Sequence, residues 1–121
     1  MRSFQSVLTV AFLALAFIGP ARATDYQKMD ALDIKLDGGK LEGKKVEVMG
    51  WIGTFNDHWL MHETQDGSPL FYVDTQFLPR DERKALLTSC AMRCRLVIRG
   101  SVDRVDFGEW GITADSVEVS R

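Results

Sequence analysis

Turn signals recur along residues 40–120 and cut them into five extended segments, with room for a single helix. The clearest turns are Asp37-Gly38-Gly39, Asn56-Asp57 and Gln65-Asp66-Gly67-Ser68-Pro69, and Gly108 and Gly111 frame a loop holding Trp110. The first segment, Lys44–Ile52, sets Val46, Val48 and Ile52 against Lys45, Glu47, Met49 and Trp51, the alternation of a half-buried strand. Gly50 interrupts it, marking a bulge, a sharp bend or a close backbone approach. His58–Glu63 and Leu70–Asp74 read as the second and third strands, and Arg95–Val105 as the fourth, anchored by Leu96, Ile98 and Val102. Ile112–Val119 is the fifth. Its apolar parity shifts between Ala114 and Val117, which predicts a bulge near Asp115-Ser116.

The helix falls between the third and fourth strands. Pro79 opens it at the first helical position, with Asp81 and Glu82 in the first turn and Arg83 and Lys84 later, as the helix dipole favours. Leu78, Leu86 and Cys90 share its apolar face, beside Ala85. The order is therefore β-β-β-α-β-β. A five-stranded Greek-key barrel puts its helix in that crossing, as a plug, and coils its first strand sharply enough to need a glycine corner such as Gly50. The expected fold is all-β with one helix.

Residues 1–23 stand outside that domain. Arg2 precedes an apolar run from Val7 to Ile18, Gly19-Pro20 breaks it, and Ala21-Arg22-Ala23 offers the small-x-small pattern of a cleavage site. As a helix the run reaches about 18 Å, short of a hydrocarbon core of about 30 Å. A cleaved secretory signal is the expectation, with no stable membrane anchor afterwards and a periplasmic or secreted product. Residues 24–39 form an N-terminal arm, a short helix or an extended segment with apolar Met29, Leu32, Ile34 and Leu36; residues 40–121 form the domain. Loss of Arg2 and Arg22 with the leader takes the net charge from −2 to −4. Cys90 and Cys94, the only two cysteines, suit an oxidising compartment and are expected to form a disulfide.

Lys44-Lys45-Val46-Glu47-Val48-Met49-Gly50-Trp51-Ile52 resembles the opening strand of OB-fold domains, and its wording is closest to the anticodon-binding domains of class II aminoacyl-tRNA synthetases. Gly111–Val119 is similar to the last strand of small exported bacterial OB domains. The likeness in element order covers about residues 40–120 and implies the OB-type barrel, not a function. No tRNA contact carries over, because the segment after the first strand lacks the basic residue expected there.

Few residues invite catalysis. His58 and His62 lie four apart; on a strand that is about 13 Å along one face, too far to share a metal ion. No G-x-S-x-G elbow is present, and pairs such as Asp103 with Asp106, or Asp81 with Glu82, suit an acidic surface. No enzyme, metal site or cofactor is expected.

The candidate binding residues are those facing away from the core. Strand parity turns Met49, Trp51, Tyr72, Arg95 and Arg99 outward, where they would line one continuous face. Aromatics beside arginines serve protein interfaces and small ligands, and they also serve single-stranded nucleic acid. The negative charge and dispersed basic residues favour a protein or small-ligand partner; a nucleic acid or other polyanion is the alternative. Burial of Trp51 beneath the arm would remove the face altogether.

Overall fold

The structure, a computed structural model, describes residues 25–120. The proposed signal segment lies outside the described residues. The fold is mostly β, with six strands in one sheet and two short helices. In chain order these are β1 (Gln27–Asp30), α1 (Ala31–Asp37), a 3-10 turn (Gly38–Leu41), β2 (Lys45–Phe55), β3 (His58–His62) and β4 (Pro69–Asp74). Then come α2 (Arg80–Ser89), β5 (Cys94–Arg104), a second 3-10 turn (Asp106–Gly108) and β6 (Trp110–Val119). No helix among the described residues is long and apolar enough to cross a membrane.

All five expected strands are present, and the arm adds a sixth strand and a second helix. The sequence offered the arm as helix or extended chain; it is one after the other. β1 pairs in parallel with Val46–Met49, and α1 sends Ala31 and Ile34 into the core. Leu36 of the same helix is exposed, which is why the arm's apolar spacing was hard to read.

β2 organises the sheet. Along one edge it pairs antiparallel with β5, from Lys45↔Ser101 to Ile52↔Cys94. Its other edge is divided: β1 occupies Val46–Met49, and β3 takes over from Trp51 to Phe55. Gly50 sits at the changeover. A Cβ there would lie 2.6 Å from Met61 Sδ and 3.0 Å from the His62 carbonyl oxygen, so this glycine marks a close approach. β3 pairs with β4, β4 runs parallel to β6 at Val73↔Ile112, and β6 pairs with β5. β3, β4, β5 and β6 therefore have two neighbours each, and β2 has three.

The alternating residues meet inside. Val46, Val48, Ile52, Met61, Leu96 and Ile98 are fully buried, with Leu86 and Cys90 of the α2 segment packed against them. Asn56 and Asp57 both take positive φ, the backbone of a two-residue hairpin turn. Pro79 is one place earlier than expected: it is the N-cap of α2, with ψ 150°, and the helix begins at Arg80. The extended ψ of Pro79 is the cause, since N1 needs helical ψ. Trp110 is likewise not held in a loop; it opens β6 opposite Arg104 and packs over Gly38 and Gly39.

The β6 bulge is where parity placed it. Arg99 faces Ser116 but Gly100 faces Ala114, leaving Asp115 as the extra residue. Asp115 Oδ2 accepts two hydrogen bonds at 2.9 Å, from Lys45 Nζ and from the Tyr26 hydroxyl. This ties the arm to the bulge. Burial, and then the bond to Asp115, raise the Tyr26 hydroxyl above its ordinary pKa, and the same carboxylate raises Lys45. Glu82 Oε1 accepts the Val117 N–H at 2.8 Å, joining α2 to the bulged strand.

Two substitutions test this arrangement. A Cβ at Gly100 would collide with the Thr113 carbonyl oxygen and lie 2.9 Å from Ile112 Cγ2. Gly100→Ala is expected to lower the unfolding free energy by about 3 kcal/mol in a urea titration. Tyr26→Phe removes one hydrogen bond worth about 1 kcal/mol. Amide exchange across Gln27–Asp30 should then quicken about five-fold, with the rest of the sheet unchanged.

Candidate functional site

The two hairpins and the disulfide loop converge on one cleft of about 410 Å³. β2 supplies Phe55, β3 supplies Leu60 and His62, β4 supplies Tyr72, and the loop between the cysteines supplies Met92 and Arg93. The Cys90–Cys94 disulfide is formed, with Cα atoms 4.7 Å apart. It folds residues 91–93 back over the sheet, where the Ala91 carbonyl oxygen accepts a hydrogen bond from Thr54 Oγ1 at 3.1 Å. Arg93 then reaches across: its Nη1 donates to the carbonyl oxygens of Gln65 and, at 3.1 Å, Gly67. The cleft wall is thus bridged to the β3–β4 turn by one arginine.

His62 is the buried polar group of this cleft, 4% exposed. Its Nδ1 lies 3.0 Å from the Gly67 carbonyl oxygen. A carbonyl only accepts, so Nδ1 carries the hydrogen and donates it. In the neutral ring Nε2 is then a bare acceptor, and it has no hydrogen-bond partner among the described residues. Burial chiefly, and the charge of Arg93 in addition, hold this imidazole below its ordinary pKa; the backbone of Gly67, and more weakly that of Ser68, works in the opposite sense. The ring is accordingly neutral at pH 7.

A second cluster sits at the start of the same strand. His58 Nδ1 is 2.8 Å from Asp106 Oδ2, and its ring centroid lies 5.7 Å from that of Tyr72 and 5.0 Å from that of Phe107. Tyr72 and Phe107 are 5.2 Å apart, closing an aromatic triangle at the turn before β6. Asp106 is 48 residues from His58, so no local pattern announced the pair.

The five candidate binding residues divide. Met49 and Trp51 on β2 adjoin Arg95 and Arg99 on β5, with Trp51 opposite Arg95. Met49 is exposed and Trp51 half-buried. Tyr72 is two strands away and lines the cleft instead. Nor are the arginines free. Arg99 Nε donates to Glu47 Oε1 at 2.9 Å, its Nη2 lies 3.5 Å from Glu118 Oε1, and Arg95 Nη2 rests 3.1 Å from Met49 Sδ. Sequence reasoning passed over Phe55, Leu60, His62, Met92 and Arg93 as a group. One signal was available for His62: the glycine-bearing turn five residues on, whose carbonyl can reach back to the ring.

No protein-family model matches the chain, and no curated protein matches it.

The depressed pKa of His62 fixes the sign of a pH effect. Below about pH 6.5 the unfolded chain binds a proton at this histidine that the folded chain resists. Stability is therefore present above that pH and is lost as the pH falls through it toward the folded value. Urea unfolding between pH 7.5 and 5.5 should show this decline, and His62→Asn should reduce it.

Proposed function

We propose that this protein is a small exported binding module built as an OB-type Greek-key barrel. It works without catalysis, and its ligand seats in the cleft between the hairpins and the disulfide loop. The barrel reading is supported by the circuit β2-β3-β4-β6-β5 and the return of β5 to β2, with α2 in the crossing between β4 and β5. Export is supported by the disulfide, which an oxidising compartment preserves, together with the signal-like residues 1–23. Cys90 and Cys94 are bonded to each other, so neither offers a free thiol, and the proposal is of binding alone.

The observation that carries the reading is His62. A buried acceptor nitrogen without a partner is unfavourable in an interior and useful in a binding site, where the ligand supplies the donor. The outer face of β2 and β5 is the weaker candidate because Arg99 is already paired with two carboxylates. That pairing, with the net negative charge, also disfavours the polyanion alternative.

Nuclear magnetic resonance separates these readings. Titration of the isotope-labelled protein with a set of small aromatic and amide fragments should move the amide signals of Gly53, Leu60, His62, Tyr72 and Arg93 together. Movement centred on Met49, Trp51 and Arg95 would transfer the site to the strand face. Tight binding of single-stranded oligonucleotide that weakens steeply with salt would replace the proposal with the polyanion reading.

A further inference from the structure

Resting on the reading of the cleft as the binding site, we infer its ligand class. It takes a small aromatic molecule without positive charge bearing one hydroxyl or N–H group, with that group donating to His62 Nε2. Three observations converge on this chemistry.

The first is the fixed polarity of the imidazole. Gly67 accepts from Nδ1, so Nε2 of this cleft-lining residue carries a lone pair and no hydrogen. A donor is accepted there, and a second acceptor is repelled. The second is charge. Arg93 stands beside His62, its guanidinium held by two backbone carbonyls that orient it without neutralising it. A cation brought to His62 meets that positive charge, and a donor without positive charge does not. The third is size and lining. A cavity of about 150 Å³ holds a benzene ring, so about 410 Å³ admits one or two fused rings. Leu60, Tyr72 and Phe55 offer apolar and aromatic contact, and the thioether of Met92 suits an aromatic edge.

The matched pair indole and 1-methylindole tests the assignment, since they differ by the donor. Each is titrated into the isotope-labelled protein, following amide signals and the ring nitrogens of His62. One hydrogen bond to a buried acceptor corresponds to about a five-fold difference in affinity. Indole is expected to bind about five-fold more tightly than 1-methylindole and to shift Nε2, while Nδ1 stays protonated. In His62→Asn the side-chain amide can still donate to Gly67 but offers no acceptor at the Nε2 position, so the two compounds should bind equally.

Equal binding to the native protein, or an Nε2 signal that indole leaves in place, overturns the ligand class and leaves the cleft standing as a binding site. Absence of any response at Leu60, His62 and Tyr72 to either compound overturns both. If His62→Asn does not fold, the Nε2 response of the native protein decides alone.

Discussion

The fold depends on one strand with three partners. β2 gives its whole first half to β5 on one side, and on the other it changes neighbour from β1 to β3 at Gly50. The change is possible because Met61 and the His62 backbone come against the strand where a side chain would stand. Everything downstream inherits that geometry. β3 ends its pairing at the corner, where His62 stands opposite Trp51 and is carried under the β3–β4 turn, and the cleft opens between that hairpin and the loop that leads into β5.

Several basic residues of the sheet and its loops are committed within the molecule: Lys45 to Asp115, Arg99 to Glu47 and Glu118, Arg93 to backbone carbonyls. Exposed pairs of this kind contribute little to stability. Their effect is to spend charge in fixing geometry, so that the outer face of β2 and β5 has less positive potential than its composition implies. Arg93 differs because its partners are neutral oxygens. Its charge therefore remains effective in the cleft, where it helps keep His62 neutral.

What could be read from the sequence follows from range. The strands from Val46 to Val117 announced themselves by alternation, Asp115 by the break in that alternation, and the Cys90–Cys94 pair by count and compartment. Each of these signals lies within about ten residues. The arm was ambiguous because Leu36, which reads as apolar, is exposed, whereas Ile34 is buried. The cleft could not be read. It joins two hairpins and a disulfide loop, and its decisive bond runs from His62 to a backbone carbonyl, an atom every residue possesses. Tyr72 follows the same parity but stands across β3 from β2, where it lines the cleft, because parity gives the side of a sheet and not the position across it.

The clamp between Tyr26 and Asp115 spans 89 residues. β2 likewise waits for a partner that begins at Cys94. During synthesis the early strands emerge long before the segment that completes them, with an unsatisfied hydrogen-bonding edge in the meantime. Closure is thus a late, long-loop event, which places this small protein among the slower folders for its size.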